Sequence, residues 1–91
     1  MYTLKITNAF KKDLKTLRKQ GKDLNKLNNV VNTLLAGEPL PDKCRNHKLT
    51  GNYDDFYECH IEPDWLLIYL LEDEILTLTL TRTGSHSDLF R

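Results

Sequence analysis

The chain has 91 residues, a formal net charge of zero and 40% apolar residues, a composition typical of one small globular domain. No stretch reaches the roughly 18 apolar residues that a membrane-spanning helix needs. The opening residues are too polar for the apolar core of a secretion signal. We therefore expect a single domain over residues 1–91 in the cytoplasm, where Cys44 and Cys59 are reduced thiols.

The zero net charge hides a strong asymmetry between the two halves of the chain. Residues 1–50 contain eleven Lys and Arg against four Asp and Glu, a net charge of +7. Residues 51–91 contain two against nine, a net charge of −7. A basic half of this kind is typical of proteins that bind a polyanion. On charge alone, solvated helix surfaces rich in lysine explain the asymmetry equally well.

The basic half predicts one strand and two helices. Apolar and polar residues alternate over residues 2–6, which is typical of a half-buried strand. Helix-spaced apolar residues then predict a first helix over residues 8–20, ended by Gly21. A second helix begins after the capping residue Asp23 and ends at Gly37. The short connection between the helices predicts an antiparallel helical hairpin.

The acidic half predicts most of a sheet. Residues 54–61, 64–71 and 75–82 have the composition of strands, and the middle run is almost wholly apolar, as in a strand buried on both faces. Residues 47–51 predict a strand stub, and residues 86–90 a short tail. The order β-α-α-β-β-β predicts an α+β domain in which the N-terminal helical hairpin packs on a small, mainly antiparallel sheet.

Three histidines are the candidate chemical groups in this half. His47, His60 and His86 each adjoin a predicted turn or a loop-to-strand junction, where a rigid scaffold presents functional side chains. Arg82 precedes His86 by four residues across a predicted turn, so both can meet at one edge of the sheet. Asp64 can orient a histidine by accepting its ring N–H.

Three interpretations of this set stay open on the residues alone. The first is acid–base cleavage of an RNA phosphodiester, because histidine titrates near neutral pH and can take or give a proton there. The second is a metal site, although the spacing of the histidines matches no short ligand motif. In the third, the histidines only pack and form hydrogen bonds.

Three segments together resemble a known family. They are residues 46–51 (NHKLTG), 59–69 (CHIEPDWLLIY) and 82–90 (RTGSHSDLF). In this order they resemble the YafQ branch of the RelE/ParE superfamily, which are toxins of bacterial type II toxin–antitoxin modules. The resemblance extends over essentially the whole chain. It implies a RelE-like fold and a ribosome-dependent mRNA endonuclease that inhibits translation, cleaving without a metal or other cofactor through attack by the RNA 2′-hydroxyl.

The resemblance also implies a catalytic set. Position by position, it falls on His47, His60, Asp64, Arg82, His86 and Phe90. In this assignment His86 is the general acid, and His47 or His60 is the base.

The other three members of the catalytic set have supporting roles under the same resemblance. Asp64 would orient a histidine, Arg82 would hold the scissile phosphate, and Phe90 would stack on or position a base. Relatives often carry a cation three residues before the motif histidine His60, where this chain has Tyr57. This difference argues against a second cationic phosphate contact at that position.

The partners implied by the resemblance are a cognate antitoxin, the ribosome and mRNA. The antitoxin would wrap and neutralise the domain with a flexible, acidic segment, and operator DNA would be bound only within that complex. No membrane contact is expected. The predicted RNA and ribosome contacts are basic residues of the first half, namely Lys11, Lys12, Lys15, Arg18, Lys19, Lys22, Lys26 and Lys48.

Two alternative functions accompany this prediction. One is a non-catalytic growth-inhibiting toxin of the same fold that poisons gyrase. Such relatives lack the histidine set, so the histidines of this chain argue against it. The other is a metal-dependent nuclease.

Overall fold

The sheet and the helices follow one another in the order that the sequence predicts. The structure is a computed structural model that describes residues 1–49 and 55–90. Its elements are β1 (Thr3–Ile6), α1 (Asn8–Lys19), α2 (Leu24–Leu35), a 3-10 helix (Asp42–Cys44), β2 (His47–Lys48), β3 (Phe56–Glu62), β4 (Trp65–Glu72), β5 (Thr77–Gly84) and α3 (His86–Leu89).

The strands form one mixed sheet in the order β1-β5-β4-β3-β2. β1 runs parallel to β5, and every other neighbouring pair in this order is antiparallel. α1 lies against β5, and α2 contacts β3. The predicted α+β class, with the helices on one mainly antiparallel sheet, is therefore confirmed.

Local signals fix both long helices. The Thr7 hydroxyl accepts a hydrogen bond from the Phe10 amide at 3.0 Å, and the Asp23 carboxylate accepts one from the Asn25 amide at 3.0 Å. Gly21 follows the end of α1 with φ of +76°, a left-handed conformation that glycine adopts without strain. The predicted first and second helices are confirmed to within about two residues, the usual uncertainty of a helix end.

The core lies between the helices and one face of the sheet. Its buried members on the sheet are Cys59, Trp65, Leu67, Tyr69, Leu78 and Leu80, and those on the long helices are Phe10, Leu17, Leu27, Val31 and Leu34. The Trp65 indole N–H donates to the Thr83 hydroxyl at 2.9 Å, and that hydroxyl donates to the Leu66 carbonyl at 2.8 Å. Because these buried polar groups are paired, their hydrogen bonds offset the cost of removing them from water. Cys44 and Cys59 are buried free thiols, as predicted.

Several predicted boundaries differ from the structure. β3 begins at Phe56 rather than at residue 54, and residue 54 lies outside the described residues. β5 begins at Thr77 because Leu76, with φ of +48°, belongs to the preceding turn. The predicted short tail over residues 86–90 contains one helical turn, α3, which begins where the Ser85 hydroxyl accepts a hydrogen bond from the Asp88 amide at 3.2 Å.

β1 is more exposed than a half-buried strand. Leu4 is 45% and Ile6 41% exposed, because β1 is the outer strand of the sheet and α1 and α2 lie over β5 and β3 instead. Over residues 1–49 and 55–90, no helix combines the length and apolar content that a bilayer crossing requires.

Candidate functional site

The sheet face that points away from the two long helices carries three of the six predicted catalytic positions, namely His47, His60 and Arg82. Side chains alternate along a strand, so the core residue Cys59 places its neighbours Glu58 and His60 on the opposite face. The strand register aligns His47 with Glu58, Glu58 with Ile68, and Ile68 with Arg82. Residues that are distant in sequence therefore form one row across four strands.

Glu58 lies between two of the histidines. Its Oε1 atom is 3.8 Å from the Nε2 atom of His47 and 3.9 Å from the Nε2 atom of His60. The two imidazole nitrogens are therefore no more than 7.7 Å apart, the sum of those distances. The sequence does not indicate this position of Glu58, because only the register of β2 with β3 reveals it. The Glu58 side chain is 11% exposed, so it is held in place within ion-pair distance of whichever imidazole is protonated.

Backbone carbonyls orient both imidazoles. His47 Nδ1 lies 2.8 Å from the Arg45 carbonyl oxygen, and His60 Nδ1 lies 3.2 Å from that of Pro63. A carbonyl only accepts, so each Nδ1 must carry the hydrogen. In the neutral ring this leaves Nε2 without a proton, and the Nε2 lone pair can accept one. Each of these histidines therefore has the tautomer that a general base requires.

The third histidine lies at the start of α3. The His86 backbone amide donates to the Asp64 carboxylate at 3.4 Å, which ties α3 to the β3–β4 turn. The His86 ring packs against the Phe90 ring with a centroid distance of 4.9 Å and an interplanar angle of 39°. The carboxylate of Asp64 thus contacts the backbone of His86, where the sequence predicted that it would orient a histidine ring. The turn also carries Pro63, so one short segment supports both His60 and His86.

Arg82 forms an ion pair with a residue of α1. Its Nε and Nη2 atoms donate to the two Asp13 carboxylate oxygens at 2.7 Å and 3.1 Å, and this hydrogen bonding raises the pKa of Arg82. The Thr83 amide also donates to Asp13, at 3.0 Å. β1 pairs with β5 only as far as Leu80, so Asp13 satisfies the edge of β5 beyond that point. Sequence reasoning missed Asp13, because its position on α1 gave no sign of a partner 69 residues away.

The predicted RNA-binding cations fall into two groups. Lys22 and Lys26 bind the same carboxylate, that of Glu62, at 3.3 Å and 2.8 Å, and Lys48 lies 3.9 Å from Asp55. The hydrogen bond from Lys26 lowers the pKa of Glu62 and raises its own. The remaining five form an exposed basic surface on α1, which consists of Lys11, Lys12, Lys15, Arg18 and Lys19.

No metal-binding group is evident in the part of the chain that the structure describes. Within residues 1–49 and 55–90, no cluster of three or more His, Cys, Asp or Glu side chains is arranged to hold a metal ion.

Comparisons of this chain with known proteins agree on one family. A family model described as "Bacterial toxin of type II toxin-antitoxin system, YafQ" matches residues 2–91. The mRNA interferase toxin YafQ of Escherichia coli K12 is 38% identical over 88 residues, which cover 96% of this chain and 94% of the relative.

Two crystal structures have the same fold as this chain. YafQ in the Escherichia coli DinJ–YafQ complex superposes with a TM-score of 0.93 at 36% identity, over 100% of both chains. A metal-bound toxin from Helicobacter pylori superposes with a TM-score of 0.93 at 47% identity, over 99% of this chain and 100% of the other.

Proposed function

This chain belongs to the bacterial YafQ toxins of type II toxin–antitoxin systems, and we propose that it is an mRNA interferase, a ribosome-dependent endoribonuclease that inhibits translation. The observation that carries the proposal is the histidine pair. His47 and His60 both donate Nδ1–H to a carbonyl and direct Nε2 toward the same carboxylate of Glu58. Two oriented bases on one sheet face suit proton abstraction from an RNA hydroxyl.

The proposed reaction uses the substrate's own hydroxyl as the nucleophile. His47 or His60 accepts the 2′-hydroxyl proton at Nε2, and the 2′-oxygen attacks the adjacent phosphorus. The P–O5′ bond breaks, which leaves a 2′,3′-cyclic phosphate on one fragment. His86 donates a proton to the departing 5′-oxygen, so the second fragment ends in a 5′-hydroxyl. No water molecule enters this step, and the proposed reaction needs no metal ion.

Phe90 and Arg82 complete the proposed catalytic set. The ring of Phe90 lies beside the acid His86 and offers a surface on which a base can stack. The Arg82 Nη1 atom makes no hydrogen bond within the described residues, while Nε and Nη2 bind Asp13. Nη1 can therefore reach a phosphate oxygen while the ion pair holds the guanidinium plane. In this proposal Asp13 is a positioning residue for Arg82, and Asp64 is one for His86.

The proposed partners follow from the family and from the charge of the helical half. Since YafQ of Escherichia coli forms a complex with DinJ, we propose that a cognate antitoxin neutralises this chain through an acidic segment. The basic surface on α1, with Lys22, Lys26 and Lys48, is proposed to contact the ribosome and mRNA. Operator DNA would be bound only within the antitoxin complex. The protein is proposed to act in the cytoplasm as a single domain over residues 1–91.

The substitution His86→Ala tests this function. It should relieve the growth arrest caused by expression and reduce message cleavage by roughly 10²–10⁴-fold, the usual contribution of a general acid. The fold should be unchanged, because His86 is exposed. Cleavage is measured in a translation reaction, with circular dichroism as the check on folding. Ser87→Ala, at the neighbouring exposed position of α3, is the matched control.

The same reaction separates the proposal from its alternatives. Full activity of His86→Ala would contradict the catalytic assignment. Cleavage should continue when a chelator selective for transition metals is added, which leaves the Mg²⁺ that ribosomes need, whereas its loss would favour a nuclease that depends on such a metal. Intact message together with arrested DNA supercoiling would favour a gyrase poison.

A further inference from the structure

A cleft beside His60 was not part of the predicted site. It has a volume of about 360 Å³ and lies between the 3-10 helix and the end of β3. Lys43 and Arg45 line it from the 3-10 helix side, while His60, Ile61 and Pro63 line it from the sheet side. The cleft therefore joins two cations, an apolar wall and a proposed catalytic histidine.

Among the described residues, Lys43 and Arg45 differ from most cations near the site in having no carboxylate partner. Both are exposed, and neither forms an ion pair within residues 1–49 and 55–90. By contrast, Arg82 is held by Asp13, and Lys48 lies beside Asp55. A cation without a protein partner is available to bind an external anion without first breaking an ion pair.

The backbone of Arg45 connects the cleft to the histidine pair. Arg45 has φ of +47°, a left-handed conformation that is uncommon for a side chain other than glycine. In this conformation its carbonyl accepts the hydrogen bond from His47 Nδ1, while its side chain lines the cleft that contains His60. Arg45 therefore contacts His47 through its backbone and lines the same cleft as His60 through its side chain.

The carboxylate at the rim of the cleft is already neutralised. Glu62 lines the cleft and accepts hydrogen bonds from Lys22 at 3.3 Å and from Lys26 at 2.8 Å. The described lining thus holds two cations, Lys43 and Arg45, and the carboxylate of Glu62, whose charge Lys22 and Lys26 offset. The cleft therefore favours an anionic ligand, and its apolar wall can contact the base or sugar of that ligand.

We propose that this Lys43–Arg45 cleft binds one nucleotide of an RNA strand beside the proposed catalytic residue His60, with its phosphate on Lys43 and Arg45 and its base or sugar against Ile61 and Pro63. The inference rests on the proposed ribonuclease function. It places a cationic phosphate contact at the 3-10 helix and the residue that follows it, beside His60. The phosphodiester can come from the message or from ribosomal RNA, because the recognition chemistry is the same.

Binding measurements with charge variants test the cleft. The probe is the 70S ribosome, either vacant or programmed with a message whose 2′-hydroxyls are methylated and which therefore cannot be cleaved. The test variants are Lys43→Gln, Arg45→Gln and the double variant. Arg45→Lys keeps the charge and meets the same backbone requirement. Lys5→Gln removes one exposed cation from β1, on the far edge of the sheet, and is the charge control.

Each cation removed should weaken binding by roughly tenfold, the size of one charge-assisted hydrogen bond. The slope of log K against log salt should become shallower by about 0.7 for each phosphate that the variant no longer neutralises. Arg45→Lys and Lys5→Gln should bind nearly as the wild type does. A weakening confined to the programmed ribosome assigns the phosphate to the message, while an equal weakening on vacant ribosomes assigns it to ribosomal RNA.

Either pattern supports the cleft. Equal affinity and salt slope for the double variant and Lys5→Gln in both arms would overturn it, as would the absence of wild-type binding in both. Cleavage of unmethylated message by the wild type is measured in parallel. Failure of that cleavage, with binding weakened as expected, would overturn the ribonuclease function and leave the RNA-binding cleft standing.

Discussion

Cations lie beside the proposed site at two edges of the molecule. At one edge the cation is paired with a carboxylate, and at the other, among the described residues, the cations are not. At the end of β5, Arg82 donates two hydrogen bonds to Asp13. At the 3-10 helix, Lys43 and Arg45 have no ion pair within the described residues and line an open cleft next to His60. The first edge holds α1 on the sheet, whereas the second leaves its charge facing outward.

The difference shows that a cation in a family motif need not be the cation that is free to bind a ligand. The resemblance assigned phosphate binding to Arg82 from its position in a motif, but two of the five N–H donors of Arg82 are directed at Asp13 on α1. The unpaired positive charge lies on Lys43 and Arg45, which are outside the three family segments. Arg45 is connected to the first of these segments by the hydrogen bond between its carbonyl and His47. The β5 edge should therefore respond to substitution in stability, and the 3-10 edge in RNA binding.

Replacing Asp13 should have the largest effect on folding. Asp13→Ala removes both hydrogen bonds to Arg82 and leaves the Thr83 amide without its acceptor, so the free energy of unfolding should fall by about 2 kcal/mol. The effect is smaller than for a fully buried pair because the Arg82 side chain is 37% exposed. Urea denaturation measures it, with exposed Glu38→Ala as the control. If Asp13→Ala destabilises the protein no more than the control does, the Asp13–Arg82 ion pair does not stabilise the fold.

Replacing Gly84 should separate stability from activity. Gly84 has φ of +153°, and an alanine there costs about 1 kcal/mol, because a Cβ disfavours that backbone conformation. Gly84 joins β5 to the segment that carries His86, so cleavage should fall by more than the reduced stability explains. Gly21→Ala is the matched control, with φ of +76° and no atom within 4 Å of the added Cβ.

The two glycine variants should be destabilised to a similar extent in thermal unfolding, and Gly84→Ala alone should cleave less message per folded molecule. If both variants cleave message equally well, the position of α3 is not set by Gly84.

Replacing Glu62 should have the smallest effect on folding, and the effect should depend on pH. Because Lys26 and Lys22 lower the pKa of Glu62 below its ordinary value of 4.5, its ion pairs contribute stability above that pH. The contribution is lost as the pH falls through the lowered pKa. Glu62→Gln should therefore have a flatter dependence of unfolding free energy on pH over this acidic range, with exposed Glu38→Gln as the control. An unchanged pH profile would contradict the pairing.

The same variant sharpens the comparison of the two edges. Glu62→Gln removes a carboxylate from the rim of the Lys43–Arg45 cleft and should bind programmed ribosomes at least as tightly as the wild type. Weaker binding would mean that Glu62 itself holds the nucleotide.

Local signals made the helices predictable, whereas long-range pairings did not. The caps at Thr7 and Asp23 and the glycine after α1 act on backbone groups within three residues, so the sequence displays them. The ion pair of Asp13 with Arg82 joins residues 69 apart, and nothing near either of them announces it. The exposure of β1 likewise depends on where α1 and α2 lie, which the alternation within β1 cannot indicate.

The candidate site was predictable in its members and not in their arrangement. His47, His60 and His86 stood out because they adjoin turns, and the resemblance added Phe90. The place of Glu58 between two imidazoles depends on the register of β2 with β3, which side-chain patterns do not specify for a two-residue strand. Lys43 and Arg45 gave no signal, since in the sequence they are two lysine and arginine residues among thirteen.

Mapping the ends of a translated message tests the central claim most directly. Primer extension is performed on a message incubated with the purified protein, in one reaction with active ribosomes and in another without them. A ribosome-dependent endonuclease should create new 5′ ends within the coding region only when ribosomes translate the message. Full-length message in the translating reaction, or the same cuts in RNA without ribosomes, would contradict the account.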